Sequence, residues 1–257
     1  LNVLKSTKSI LADDTRNAKS LLSAFEIDIS QKKISSYHEH SSKLERKKVI
    51  QLIKNGESVA LICDAGTPLI SDPGYKLVRE IIDTGLKVLS VPGVSSPIAA
   101  LSVSGLPTDT FSFIGFLPVS KSKKLEIMEK YKKLKSSLII FESGKRIHKT
   151  LKLINEVYDP ITEICICREL TKKYEEIVRF KVEDFEVEMD SFSSLKGEFV
   201  LIIGKNINRD MDWENLDQKI REYKKNNTLK STVAVLAAEI KISKNLIYKR
   251  ALKIFEE

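Results

Sequence analysis

The sequence predicts an α/β fold ending in a small helical module. Short runs rich in Val, Ile and Phe alternate with helix-like stretches that close on glycine, and several of the runs show no polar alternation. Val59-Ala60-Leu61-Ile62-Cys63 is such a run. A strand covered by helices on both faces has no side that must be polar, so a partly parallel sheet is expected.

Taken in order, strands are expected at 59–63, 86–91, 111–116, 137–141, 163–167 and 199–203. Helices are expected at 43–55 with Gly56 as a stop, 74–84 with Gly85, 95–104 with Gly105, and 145–158. Pro118 and the Lys/Ser-rich stretch that follows it end a strand in solvent-seeking residues, which places a hinge there. The expected domains are therefore an N-terminal α/β lobe over 1–117, a C-terminal α/β lobe over 118–205 and a helical tail over 206–257.

That tail turns polar through 213–227 and then becomes amphipathic. Ser231 and Ser243 stand where helix N-caps are expected, and Ile247, Ala251, Ile254 and Phe255 fall on one helical face. The pattern resembles a helix-turn-helix.

Bulk properties narrow the class of protein. With 42% apolar residues in 257, the chain can bury a sizeable core. Its apolar runs are far shorter than the roughly 20 residues a membrane-spanning helix needs, and its first residues lack a signal-peptide core. Three cysteines, two of them alternating at Cys165 and Cys167, suit a reducing compartment, so a cytoplasmic protein is expected. The formal charge of +8 is matched by the segment 219–253 alone, which carries ten Lys or Arg against Glu222 and Glu239. A polyanion partner or a solvated helix face would each explain it. Lys244, Lys249, Arg250 and Lys253 are the candidate phosphate contacts.

Two strand-to-helix loops are candidate ligand sites. Asp64-Ala65-Gly66-Thr67-Pro68 opens the loop 64–74, where Gly66 lets a ligand approach the backbone and Asp64 accepts its hydroxyl or amino hydrogens. Pro92-Gly93-Val94-Ser95-Ser96 repeats the arrangement, with serines that donate hydroxyls or cap the helix. A plain turn is the bland alternative for both. Neither loop is Gly-x-Gly-x-x-Gly or Gly-Lys-Ser/Thr, so nicotinamide and ATP have no support. His38 and His40, two residues apart with no further ligand cluster, do not argue for a metal. Glu142, Arg146, Arg168 and Glu169 lie at strand ends, where catalytic groups often sit and where surface ion pairs are also common.

Eight ordered segments together resemble the tetrapyrrole methylase superfamily, and within it the branch that methylates the ribose of a cytidine in small-subunit ribosomal RNA. They are Asp14-Thr15-Arg16, Tyr37-His38-Glu39-His40, the loop 64–74, Pro92-Gly93-Val94-Ser95-Ser96, the stretch 104–109, Gly115-Phe116-Leu117-Pro118, Arg168-Glu169-Leu170-Thr171-Lys172 and Lys196-Gly197-Glu198. The resemblance implies two lobes with mixed sheets, S-adenosylmethionine (SAM) held between them, and a homodimer acting on ribosomal RNA or the small subunit without a metal. Carried over by position, Asp64, Ala65, Gly66, Thr67 and Pro68 would line the cofactor site with Pro92, Gly93, Ser95 and Ser96, and Phe116, Leu117 and Gly197 would frame the adenosine. Glu142, Arg168, Glu169 and Lys172 are the candidates for a base or for a cation that stabilises the attacking oxygen.

The sequence departs from the family pattern in places. Relatives usually open with a strand ending in Thr-Pro-Ile-Gly-Asn-Leu, and this sequence starts after that point, so the first lobe is expected without its first strand. Relatives tend to show Glu-Ser-Pro-His-Arg where Glu142-Ser143-Gly144-Lys145-Arg146 stands, and Glu-Asp-Thr-Arg where Asp13-Asp14-Thr15-Arg16 stands. Two rival readings remain at this point: methylation of a tetrapyrrole or other small molecule on the same scaffold, and an RNA-binding protein with a vestigial SAM pocket.

Overall fold

The computed structural model describes residues 1–190, 192, 194–205, 213–240 and 244–256. The chain divides into two compact units, 1–96 and 97–257.

The first unit is built on a parallel three-stranded sheet of order β2-β1-β3, with β1 at Ser9–Ala12, β2 at Lys33–Ser36 and β3 at Val59–Ile62. Its helices are α1 (Asn2–Ser6), α2 (Thr15–Ala24), α3 (Lys43–Lys54) and α4 (Tyr75–Asp83). Local chemistry starts two of them. Asp14 caps α2 by accepting the Arg16 backbone N–H at 2.8 Å. Ser42 and Glu45 form a reciprocal capping box on α3, satisfying two amides that lack helical partners. Leu11, Val49, Ile50, Leu77 and Ile81 make the core between α3, α4 and the sheet.

The second unit carries a five-stranded mixed sheet of order β4-β5-β8-β6-β7. Its strands are β4 (Phe111–Phe116), β5 (Ser137–Ser143), β6 (Glu163–Arg168), β7 (Glu176–Lys181) and β8 (Glu198–Ile203), and only β4 with β5 is a parallel pair. Helix α5 (Ser96–Ser104) precedes it, α6 (Lys121–Lys132) and α7 (Ile147–Val157) flank β5 in sequence, and α8 (Phe185–Asp190) follows β7. Leu138, Ile140, Ile164, Ile166 and Leu201 share a core with Met128, Leu151 and Ile154, whereas Ile139, Cys165, Cys167, Val200 and Ile202 share another with Ala100 and Leu101. The central strands are thus buried on both faces, which is why they read as unbroken apolar runs.

In the tail, α9 (Trp213–Lys224), α10 (Leu229–Ile240) and α11 (Lys244–Glu256) pack on a core of their own: Leu216, Ile220, Leu236, Ile247, Ala251 and Ile254 are all buried in it.

Two expectations need adjustment. The run 86–91 forms no strand: β3 is the edge of its sheet, the run has no ladder partner among the described residues, and Val88, Leu89 and Val91 stand exposed. An extended segment without a hydrogen-bonding neighbour does not register as a strand, however apolar it is. β4 hydrogen-bonds to β5 within the second unit. Thr228, not Ser231, stands at the N-terminus of α10, its hydroxyl accepting the Ser231 amide at 3.3 Å. Ser243 lies outside the described residues.

Candidate functional site

In the first unit the site begins where β3 stops. Asp64, Ala65 and Gly66 are exposed, Thr67 and Pro68 half-buried. Asn17, from α2, donates to an Asp64 carboxylate oxygen at 2.8 Å, and the Thr67 hydroxyl donates to the Val94 carbonyl at 2.8 Å. The second contact ties the loop 64–74 to Pro92-Gly93-Val94, whose three residues are exposed; Ser95 and Ser96 after them are half-buried.

The backbone of the first loop is strained. Leu69 and Ser71 take φ of 73° and 65°, a region that costs a side-chain-bearing residue of order 1–3 kcal/mol and that persists where surroundings over-determine it. Such strain concentrates at ligand-binding turns. Gly74 is required at φ 137°, since a Cβ there would stand 2.8 Å from Leu69 Cδ1 and 2.9 Å from Leu61 Cδ2. Gly66 differs in having nothing within 4 Å of the position a Cβ would take, so its face is open to a ligand.

In the second unit, strand register gathers the remaining candidates at one end of the sheet. Ser143 pairs with Glu198, and Phe199 pairs with both Glu142 and Arg168. The ladder of β4 shifts between Phe113 and Phe116, and Phe116 emerges 57% exposed against Phe141, ring centroids 5.4 Å apart. Leu117, next to it, is buried.

The four candidates for chemistry separate into two pairs. Glu142 is enclosed, and its carboxylate accepts from the Thr150 hydroxyl at 2.7 Å, from Arg146 Nε at 3.0 Å and from Lys124 Nζ at 3.4 Å. Arg168 is also enclosed, donating to Glu176 at 2.6 Å and to the Lys196 carbonyl at 2.7 Å. Both side chains are buried, the first among groups from α6 and α7 and the second beside Tyr174, Glu176 and Lys196. Burial pushes the Lys124 amine below its ordinary range, against the pull of Glu142.

Glu169 and Lys172 are accessible. Glu169 sits at φ 49° and accepts from the Glu198 amide at 2.9 Å and from Lys172 Nζ at 2.9 Å. The Glu198 amide and the Lys172 ammonium hold its carboxyl below the usual glutamate range, which makes it a weak base. Glu198 and Glu169 raise the Lys172 amine above its usual range, so it stays charged. Gly197 makes room for this cluster: a Cβ on it, at φ 111°, would stand 2.7 Å from Glu169.

Gly144 explains one departure from the family pattern. Its amide donates to the Gly197 carbonyl at 3.3 Å, and a Cβ would lie 1.6 Å from the Leu195 carbonyl oxygen, so no larger residue fits this backbone. Sequence reading missed Lys124, Thr150 and Asn17, whose partners are 18, 8 and 47 positions away along the chain. No short motif marks such pairs.

On the tail, Lys244 and Lys253 are exposed, and the side chain of Lys249 lies outside the described residues. Arg250 is committed within the tail: it pairs with Asp217 through two nitrogens and lies 4.6 Å from the Trp213 ring centroid. The charge-assisted pair and the ring contact brace the guanidinium within the tail. His38 and His40 have ring centroids 6.2 Å apart. Among the described residues no three His, Cys, Asp or Glu side chains gather where a metal could be held, and no helix is long and apolar enough to cross a membrane.

The architecture is shared with solved methyltransferases. The methyltransferase CobJ matches at a TM-score of 0.58 with 14% identity, covering 79% of this chain and 85% of that one. The cobalt precorrin-4 methyltransferase CbiF matches at 0.53 with 20% identity, covering 79% and 86%. Residues 1–186 match the tetrapyrrole (corrin/porphyrin) methylases, and the chain belongs to that family. Among its curated relatives are two enzymes named ribosomal RNA small subunit methyltransferase I. That of Rickettsia prowazekii (strain Madrid E) is 41% identical over 92% of this chain and 83% of its own length. That of Bacillus subtilis (strain 168) is 34% identical over 96% and 86%.

Membership makes SAM the methyl donor, and the residues present fit it. Within the first unit, Asp64 carries an exposed carboxylate of the kind that accepts from ammonium or ribose hydroxyl groups, and Gly66 gives open backbone.

Proposed function

We propose that this protein transfers a methyl group from SAM to small-subunit ribosomal RNA, at the 2′-oxygen of a cytidine ribose. The observation that carries the reading is how far the likeness runs. The general methylase match ends at residue 186, whereas the match to the Bacillus subtilis rRNA methyltransferase takes in 96% of this chain and so reaches into the basic helical tail. The rival reading, a small-molecule methylase, leaves that tail without a use.

In this reading Asp64, Ala65, Gly66, Thr67 and Pro68 hold the cofactor together with Pro92, Gly93, Ser95 and Ser96. Phe116, Leu117 and Gly197 contact its adenosine. The bound cofactor supplies an electrophilic methyl group on a sulfonium. Positioning the ribose oxygen in line with the sulfur–methyl bond supplies much of the acceleration, up to roughly 7–11 kcal/mol. Lys172, kept charged by Glu169 and Glu198, stabilises the negative charge that develops on the attacking oxygen. Glu169 orients Lys172, and as the oxygen–methyl bond forms and the sulfur–methyl bond breaks, the hydroxyl proton passes to solvent water and S-adenosylhomocysteine leaves. Lys244, Lys249 and Lys253 meet RNA phosphates, and the enzyme works in the cytoplasm as a homodimer.

The test is transfer of labelled methyl from SAM to small subunits and to naked small-subunit RNA, followed by alkaline hydrolysis. A 2′-O-methyl ribose blocks cleavage at its own linkage, so label in an alkali-resistant dinucleotide supports the reading. Label in mononucleotides moves the target to a base. SAM binding without RNA label favours a small-molecule substrate, and absence of SAM binding favours a vestigial pocket.

A further inference from the structure

Glu142, Lys124 and Thr150, all buried, form with the half-buried Arg146 a charged network that the proposed chemistry does not use. Lys124 comes from α6, Thr150 from α7 and Glu142 from the end of β5. Lys124 Nζ donates to the Thr150 hydroxyl at 2.7 Å, and that hydroxyl donates to Glu142 at 2.7 Å. The other carboxylate oxygen takes Arg146 Nε at 3.0 Å and the Ser143 amide at 3.0 Å.

Burying such a set costs desolvation, and well-packed apolar residues of the same volume often stabilise a fold as well or better. What this network delivers is direction. The far side of the Arg146 guanidinium, Nη2, donates to the Leu117 carbonyl at 2.5 Å and to the Pro118 carbonyl at 3.4 Å. Those carbonyls follow the register shift of β4, just where Phe116 turns outward.

We propose that Glu142, Lys124 and Thr150 are positioning residues acting through Arg146, fixing the guanidinium that holds the Leu117 and Pro118 carbonyls and so the cofactor-facing turn after β4. The inference rests on the reading that Phe116 and Leu117 contact SAM. Glu142 takes no part in proton transfer. Thr150 relays the ammonium of Lys124 to the carboxylate, and the carboxylate sets the plane of Arg146. A planar guanidinium presents donors on two separate edges, so it spans the carboxylate on one side and the two carbonyls on the other in an orientation that a compact ammonium does not reproduce.

Arg146→Lys, Arg146→Ala, Glu142→Gln, Thr150→Val and Phe116→Ala are compared with the parent by calorimetric SAM titration, urea unfolding and steady-state kinetics. Loss of one charge-assisted bond to the turn should raise both Kd and KM for SAM about tenfold in Arg146→Lys, with kcat at saturating SAM nearly unchanged. Glu142→Gln and Thr150→Val shift affinity in the same direction by less, and added guanidinium restores SAM affinity to Arg146→Ala. An unchanged Kd in Arg146→Lys, or a fall in kcat with KM unaltered, overturns the proposal. Failure of both Arg146 variants to fold overturns it too, since the network would then be a stability element. Unchanged SAM affinity in Phe116→Ala is a separate failure, because it removes the cofactor reading of the turn itself.

Discussion

Thr67 donates its hydroxyl to the Val94 carbonyl at 2.8 Å, joining two loops that lie 27 residues apart in the chain. The bond ties the loop that carries Gly66 to the loop that carries Gly93. In Thr67→Val the side-chain volume is kept and the donor removed. SAM affinity is expected to fall by about the worth of one hydrogen bond, roughly 0.5–1.5 kcal/mol, while the melting temperature barely moves. Calorimetry with a parallel thermal melt checks both halves, and unchanged affinity would show that the two loops need no tie.

Gly197→Ala is expected to be costly for two reasons that act together. Its φ of 111° is unfavourable for any side chain, and the new methyl would meet the Glu169 carboxylate. Destabilisation of about 1–3 kcal/mol is expected from the backbone strain. Displacement of Glu169 should also release Lys172 and lower methyl transfer. Urea denaturation and a transfer assay report the two effects independently.

Lys172→Met removes the charge and keeps the reach. Turnover should fall by roughly 10²–10³-fold if the ammonium stabilises the attacking oxygen, with SAM binding intact. Glu169→Gln should give a much smaller loss than a missing general base would, because the residue is held in its weakly basic form. A Glu169→Gln loss as large as that of Lys172→Met would restore the base assignment.

The tail gives a prediction in terms of salt. Replacing Lys244 and Lys253 with Gln should weaken RNA binding and reduce the slope of log affinity against log salt by about one for each phosphate no longer neutralised. Arg250→Gln should leave that slope alone and instead lower the tail's stability, since Arg250 is spent on Asp217 and Trp213. A shallower slope in Arg250→Gln would mean that the guanidinium leaves its internal partners when RNA binds.

Acid stability follows from Asp14. Its hydrogen bonds to the Arg16 guanidinium and amide pull the carboxyl down to about 2 in the folded chain, against about 3.9 when unfolded. A depressed folded value means that the stabilisation is complete above pH 4 or so and disappears as pH falls through about 2. Asp14→Asn still caps α2 but carries no charge, so its melting temperature should lie below that of the parent at pH 5 and converge with it near pH 2. A constant gap across that range would assign the effect to the cap alone.

The loop 64–74 of the proposed site was legible in the sequence as a turn after a strand. Glycine and proline after an apolar strand mark the loop 64–74 because backbone freedom and stiffness are written directly into those two residue types. The central strands β5, β6 and β8 were legible for a similar reason: burial on both faces leaves an apolar run that no helix period explains. The short strands β1 and β2 escaped notice, since four residues such as Lys33–Ser36 form a strand only through the partner they meet.

What only the tertiary structure decided is the standing of the charged residues. Glu142 and Glu169 look alike in sequence, each at a strand end beside basic neighbours. Yet α6 and α7 bring Lys124 and Thr150 over the first, while Gly197 leaves the second open beside Lys172. Arg250 likewise counts toward the basic excess by sequence and pairs with Asp217, 33 residues earlier, in the fold. Local propensity and hydrophobic period are carried by neighbouring residues, so the sequence by itself determined the central strands, several of the helices and the turns marked by glycine and proline. Whether a charge is offered to a ligand or spent inside depends on partners brought near by chain folding, and that is settled by packing.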